Sequence, residues 1–319
     1  MTGYVVRRIL WGLALLIIVA ALTFVLFRVL PTGNPAILRA GRDPQPKLIK
    51  EIERVLGLDK SLPVQFWDYI KNIFLHFNFG YSYYNQESVV SLVKERLPAT
   101  ASLAIGAGVL WVVGGLTVGI ISALKRHTFL DRFSMGGALV LISAPEFWLG
   151  LLALFFFASD IGKIKLFPGS GSYVGLTDDP WGWFKSLIMP WLVLASGSAA
   201  VFARLMRGSL IEVMDEDYIR TARAKGLREP QVVRQGVRSS INPIVTLLSL
   251  EIGVLLGGAV LVEAVFNIPG VGLLAYHSII QSDFNVIQGT VLLASMFIIL
   301  ANIAADIAYA YLDPRVVFK

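Results

Sequence analysis

Six stretches of this chain are apolar for about the length needed to cross a lipid bilayer: Ile9–Leu30, Thr100–Leu124, Phe133–Ala158, Leu187–Leu205, Ile244–Val265 and Val286–Leu312. A helix rises about 1.5 Å per residue, so roughly 20 apolar residues span the ~30 Å hydrocarbon core. Of the 319 residues, 55% are hydrophobic and 16% charged, whereas soluble domains carry about 25% charged residues. A soluble chain of this length needs a polar surface that this composition does not supply. The expected fold class is therefore all-α and integral to the membrane, with six transmembrane helices. The first run has no small-residue cleavage site after it and is longer than the apolar region of a cleaved signal, so it is expected to stay as a span.

Orientation follows from Lys and Arg in the short connections. Arg7 and Arg8 precede the first span, Lys125, Arg126 and Arg132 lie between the second and third, and Arg315 and Lys319 end the chain. The segment after the fourth span carries Arg204, Arg207, Arg220, Arg223, Lys225, Arg228, Arg234 and Arg238. With six spans these all fall on one side, which is then cytoplasmic, and both termini are there. The connection from Phe266 to Asn285 lies on the other side and has no Lys or Arg. Pro31–Pro98 has several, but long segments translocate largely regardless of charge. Arg28, at the outer end of the first span, is expected to snorkel to the headgroups.

The Pro31–Pro98 segment has patterning of its own. Leu48, Ile49, Ile52, Val55 and Leu56 share one helical face, and Phe66, Ile70, Ile73, Phe74 and Phe77 share another, with Gly57 and Pro63 between them. This predicts two amphipathic helices that lie on the outer membrane surface or cap the bundle. Residues 159–186 are rich in Gly, Ser and Asp and are expected to form an exterior, turn-rich loop. The chain divides into 1–98, the first helix plus exterior segment, and 99–319, a five-helix core containing a cytoplasmic loop at 206–242.

That loop is too polar to span and too regular for a linker. From Ser209 to Lys225 apolar residues recur at helical spacing, at Leu210, Ile211, Met214, Ile219 and Ala222. Gly226 after Lys225 suits a helix C-terminus, because Gly accepts the left-handed conformation and a cation sits by the last carbonyls. Pro230 suits the first turn of a second helix running to about Ile241, which Asn242-Pro243 ends. The product is a helix–turn–helix bracket on the cytoplasmic side. Two roles fit it: an amphipathic pair lying on anionic lipid, or a handle by which a soluble partner moves the spans.

Asp217-Tyr218-Ile219-Arg220-Thr221-Ala222-Arg223-Ala224-Lys225-Gly226-Leu227 resembles the coupling motif of binding-protein-dependent ABC importer permeases, in the dipeptide, oligopeptide and nickel branch. Arg220-Thr221-Ala222 stands where the general motif has Glu-Ala-Ala, and Gly226 holds the motif glycine. Other stretches resemble that branch in the same order: Arg7-Arg8-Ile9-Leu10, Leu30-Pro31, Asn34-Pro35-Ala36, Leu97-Pro98-Ala99-Thr100, Ser143 to Gly150, Phe266 to Gly272, and Leu312-Asp313-Pro314-Arg315. The resemblance implies a type I ABC importer fold in a prokaryotic cytoplasmic membrane. It implies pairing with a second homologous permease, two cytoplasmic ATPase subunits and an extracytoplasmic solute-binding protein, with peptides or similar small solutes as cargo. It places Asp217, Tyr218, Arg220, Thr221, Ala222, Arg223, Ala224, Lys225, Gly226 and Leu227 against an ATPase subunit. ATP and Mg would be bound by those partners, since no G-x-x-x-x-G-K-[ST] loop occurs here. No catalytic residue, cofactor or nucleic-acid partner is expected of this chain.

Ionisable residues inside spans mark candidate translocation residues, because their burial in lipid is costly. Glu146, Glu251, Glu263 and Asp306 qualify; a carboxylate such as Glu251 suits a peptide amine or a cation, and pairing between helices is the plainer role. Pro145 is expected to break or kink the third span, and Gly253, Gly257 and Gly258 to permit close helix approach. Asn267, Pro269 and Gly270 belong to a re-entrant exterior turn, a candidate gate. With no cysteine in the chain, and with His76, His127 and His277 far apart in sequence, no metal site is expected. An ATP-independent channel or secondary transporter, and an intramembrane enzyme, are the competing classes. Neither accounts for the bracket, and no catalytic constellation is present in the sequence.

Overall fold

The structure, a computed structural model, describes residues 2–29, 36, 45–55, 57–82 and 84–312. The matches at Leu30-Pro31, Asn34-Pro35 and Asp313-Pro314-Arg315 lie outside these residues, as do Leu56 and the side chains of Arg28, Leu48, Ile52, Val55 and Asp306. By internal packing the chain forms two units, Met1–Leu97 with Leu274–Leu300, and Pro98–Leu273 with Ala301–Lys319.

The helices are α1 (Thr2–Phe24), continued by a π-helical turn Val25–Val29, α2 (Pro46–Val55), α3 (Leu62–His76), α4 (Val89–Leu124), α5 (Phe129–Ser143), α6 (Glu146–Phe157), α7 (Pro180–Met214), α8 (Asp217–Ala224), α9 (Glu229–Ser240), α10 (Asn242–Phe266), α11 (Val271–Ile280) and α12 (Phe284–Leu312). Among the described residues, four segments are long and apolar enough to cross a membrane, Val6–Phe27, Val89–Leu124, Pro180–Met214 and Phe284–Ala304. Two bent pairs, α5 with α6 and the end of α10 with α11, raise this to six if each pair is one span. Large apolar side chains point outward along these helices, among them Ile105, Val113, Phe133, Val140 and Leu192. In water such a surface would be untenable; in lipid it is the exterior the solvent demands.

In the first unit, α3 begins beside Ser61 with Pro63 in its first turn, so Pro63 starts this helix rather than separating it from α2. Its apolar face packs on α1. Ile73 is buried with Ala20 and Leu292, flanked by Ile70 and Phe74, and the Phe66 ring meets Phe24 edge-on at 5.3 Å. The hydroxyls of Thr23 and Tyr69 are 3.2 Å apart. The second amphipathic helix thus caps α1. Phe77 departs from the expected stripe: it is 68% exposed and terminates the helix in a left-handed conformation at φ 48°. Lys60 and Asp68 form an exposed pair at 2.8 Å, and hydrogen bonding to Asp68 raises the Lys60 ammonium above its ordinary value. An exposed pair of this kind is screened by solvent and adds little to stability.

The second unit holds the main core. Trp111 packs edge-on to Phe202 at 5.0 Å, and Trp191 covers Gly106, where a Cβ would come within 2.1 Å of the ring, while its Nε1 donates to the Ser102 carbonyl at 2.9 Å. Gly115 and Gly119, four apart on α4, let the backbone of α7 approach: their missing Cβ atoms would stand 2.8 and 2.7 Å from the carbonyl oxygens of Ala199 and Ala203. This small-xxx-small contact substitutes van der Waals packing for a hydrophobic drive that lipid does not provide.

Several expected boundaries shift. Helix α4 starts at Val89 and runs through Pro98, which therefore does not open the span. In the region of the expected third span the helix starts at Phe129, and the chain bends by 110° at Ala144-Pro145, because Pro145 lacks an N–H and its predecessor avoids helical geometry. The fourth span extends at both ends to Pro180–Met214. The Phe266–Asn285 connection contains the ten-residue helix α11, a feature absent from the sequence reading.

Candidate functional site

The loop expected at 206–242 is built from the end of α7, then α8 and α9. Where the sequence pattern joined Ser209 to Lys225 in one helix, the structure ends α7 at Met214 and starts α8 at Asp217. Between them Glu216 is extended, at φ −72° and ψ 150°. The apolar periodicity persists across this break because both helices face one small core, so spacing alone could not reveal the turn.

Eight residues are too few for a helix to stand alone. Ile219 and Ala222 of α8 are buried against Val232 of α9, flanked by Val213, Met214 and Leu227. Helix α8 ends in a Schellman motif: Leu227 N donates to Ala222 O at 3.3 Å and Gly226 N to Arg223 O at 2.9 Å. Gly226 sits at φ +80° with open space around its missing side chain. Its requirement is conformational and not steric. Helix α9 opens with Pro230 in its first turn, as expected, and Arg228 N donates to Gln231 Oε1 at 3.3 Å. Gly236 brings α9 onto α7, where a Cβ would meet Met214 Sδ at 2.9 Å. Pro243 does not end a helix; it lies in the first turn of α10.

Of the ten expected contact residues, the structure turns Asp217, Tyr218, Arg220, Thr221, Arg223, Ala224, Lys225 and Gly226 outward. Ala222 faces inward at 7% exposure and Leu227 is half-buried, so these two hold the helix on its ledge. Arg220 pairs with Asp217 at 3.4 Å and Arg223 with Glu229 at 3.0 Å. Both guanidiniums are oriented yet open to solvent, with donors to spare for a partner carboxylate.

The intramembrane acids separate into two settings. Pro145 is exposed and Glu146, in the first turn of α6, is half-buried. Glu251 accepts from Ser198 Oγ on α7 at 2.9 Å. Glu263 is fully buried and accepts from Thr100 Oγ1 at 2.6 Å and Leu273 N at 2.8 Å. Thr100 Oγ1 in turn accepts from Val271 N at 2.8 Å. The Glu263 carboxyl fills the space above Gly270, where a Cβ would lie 2.2 Å from its Cδ. Asn267, left-handed at φ 49°, ends α10, and the chain bends 80° into α11. Asn267, Pro269 and Gly270 thus form a turn pinned from inside by Glu263.

One constellation escaped the sequence reading. Asp131, 3% exposed, accepts two hydrogen bonds from Arg207 of α7, from Nε at 2.6 Å and Nη2 at 2.8 Å, one from His127 N at 2.9 Å and one from Ser122 Oγ. The available signal was that Asp131 is the one acid between Glu95 and Glu146. Among the described residues, no group of three or more His, Cys, Asp or Glu could hold a metal ion.

Residues 115–318 match the family model described as binding-protein-dependent transport system inner membrane component. Residues 1–104 match the N-terminal model of such membrane components. A peptide transport system permease protein of Brucella abortus is 38% identical over 317 residues, covering 99% of each chain. The glutathione transport system permease protein GsiC of Salmonella typhimurium is 39% identical over 320 residues, covering 100% of each, and the protein of that name in Pectobacterium atrosepticum is equally similar. This chain therefore belongs to the family of inner-membrane components of binding-protein-dependent transport systems.

Proposed function

We propose that this permease forms the membrane path for short peptides or glutathione-like solutes delivered by an extracytoplasmic binding protein. It does so paired with a second homologous permease and driven by two cytoplasmic ATPase subunits. The permease itself is non-catalytic, as the family is, and ATP hydrolysis belongs to separate subunits; ATP and Mg are held there. The observation that carries the coupling role is the outward rim of α8, from Asp217 to Gly226, seated on a buried ledge and continuous through Met214 with α7. A pair of helices serving only to lie on lipid would present an apolar face outward; here that face is consumed by the ledge. The rim offers Arg220, Arg223 and Lys225 to a groove on an ATPase subunit.

Glu146 and Glu251, with Pro145 at the break, supply negative charge to the path and suit the amino group of a peptide. The turn at Asn267, Pro269 and Gly270, braced by Glu263, forms the outer gate. The chain resides in a prokaryotic cytoplasmic membrane, surrounded by lipid, with both termini cytoplasmic.

Affinity purification from native membranes in mild detergent, with mass spectrometry of what accompanies the chain, tests the assembly. A second permease and ATPase subunits bearing phosphate loops are the expected companions. A chain that emerges alone, even after gentle cross-linking, would sink the coupling role and favour an ATP-independent channel or secondary transporter. Uptake of radiolabelled glutathione and of labelled dipeptides, with and without ATP, then separates the cargo classes.

A further inference from the structure

We infer that Asp131 and Arg207 are positioning residues for transport, a joint that makes the coupling bracket and the start of the third span move as one body. The inference deepens the importer reading and rests on it. A coupling helix pushed from below is useful only if its displacement reaches the spans, and an eight-residue helix on a short break cannot transmit force by its backbone alone.

Force passes instead through packing. Ile219 and Ala222 bear on Met214, at the end of α7. Arg207 sits two helical turns before Met214 on the same continuous helix. Its guanidinium grips the Asp131 carboxylate through two parallel bonds, a geometry that fixes orientation as well as distance. Asp131 lies in the first turn of α5 and also takes bonds from the end of α4, through Ser122, and from the connection at His127. One buried carboxylate thus ties three chain segments to α7. A largely buried ion pair is weak evidence for added stability, because desolvation offsets much of the attraction. Its distinctive consequence is a single permitted geometry. Two elements so joined are displaced together or not at all.

The test uses the assembled transporter with its ATPase subunits. The chain contains no cysteine, so Phe129→Cys on α5 and Gln235→Cys on α9, outside the α8 rim, place two spin labels uniquely within it; Phe129 is 83% exposed and Gln235 is exposed. Pulsed electron resonance gives the distance between them with and without ATP and vanadate. With Asp131 intact, one narrow distance is expected in both states. Asp131→Asn retains the shape and one acceptor but loses the charge. Its distance is expected to change or broaden only on nucleotide trapping, while peptide or glutathione taken up per ATP hydrolysed falls by about threefold to thirtyfold, the range that residues in coupling networks command. A merely structural role would lower assembly or melting temperature and leave uptake per ATP alone. Should Asp131→Asn fail to assemble, Arg207→Lys, which keeps the charge and loses the parallel bonds, carries the test and is expected to lower the same ratio. A ratio within twofold of the unmodified transporter, with an unchanged distance in both nucleotide states, overturns the joint. Absence of ATP-driven uptake in the unmodified transporter overturns the importer reading itself, and the joint with it.

Discussion

Two residues show how differently a single position can matter. Gly226 has empty space where a side chain would stand, and φ of +80°. Replacement therefore costs conformational strain, about 1–2 kcal/mol for an ordinary L-residue, concentrated in the Schellman turn that sets the angle between α8 and α9. The expected order of ATPase-subunit retention through a detergent wash is Gly, then Asn, then Ala, then Val, because Asn tolerates the left-handed region and a β-branched residue does not. Equal retention by Asn and Val would show that the turn does not shape the interface. Glu263 is the reverse case: its conformation is ordinary and its surroundings are full. Glu263→Ala strands the Thr100 hydroxyl and the Leu273 N–H and opens a void above Gly270. A loss of about 2–4 kcal/mol is expected, read as a lower melting temperature in detergent. Glu263→Gln, which keeps one acceptor and the volume, is expected to lose less. The acid that looked like a solute contact by composition is thus braced into the turn, while Glu146 and Glu251 remain open to the path role.

At the scale of elements, the crossing of α4 and α7 rests on Gly115 and Gly119. Gly119→Ala must push Ala203 O and Met206 away from contacts of 2.7 Å, and overpacking of this sort costs about 1–3 kcal/mol. Gly114→Ala, one residue off that face with nothing within 4 Å, is expected to be neutral or to stabilise the helix by up to about 1 kcal/mol. Denaturation midpoints of the two variants in mixed micelles would distinguish a specific crossing from a generic loss of glycine. These elements also show what the sequence makes legible. Each apolar run falls on a helix or on a bent helix pair, and the Lys225-Gly226 and Pro230 signals place the bracket turn correctly. Helix ends escape detection where charge begins, as at Arg204 and Arg207, because a helix continuing past the bilayer loses its apolar signature without losing its hydrogen bonds. The break at Glu216 escapes because apolar spacing reports facing, and both sides of a break can face one core. The pairing of Asp131 with Arg207 joins residues 76 apart in sequence, a separation at which periodicity carries no information.

At the scale of the whole molecule, the family shows a multi-pass permease, and charge supplies its direction. With six spans, Lys and Arg would collect in the short connections on one side, and Phe266–Asn285 has none; the cost of translocating short basic loops predicts that this side faces inward. The same reasoning predicts α8 on the cytoplasmic side and the segment around Tyr84 on the exterior. Both sites are open, with Tyr84 65% and Tyr218 45% exposed, and the natural absence of cysteine makes each a clean reporter. In intact cells, Tyr84→Cys should react with a membrane-impermeant maleimide, and Tyr218→Cys should react only after the membrane is opened. Reaction of both from outside would mean an even number of crossings between them. One bent pair, α5 with α6 or the end of α10 with α11, bears on that count differently: only α5–α6 lies between residues 84 and 218. With α4 and α7 as two crossings, α5–α6 must cross once for the labels to fall on opposite sides, and must enter and leave by the same face for them to fall on one. A single pair of labelling reactions therefore decides whether the 110° break at Pro145 interrupts a true span or folds a re-entrant loop, and with it whether the α8 rim can meet a cytoplasmic ATPase.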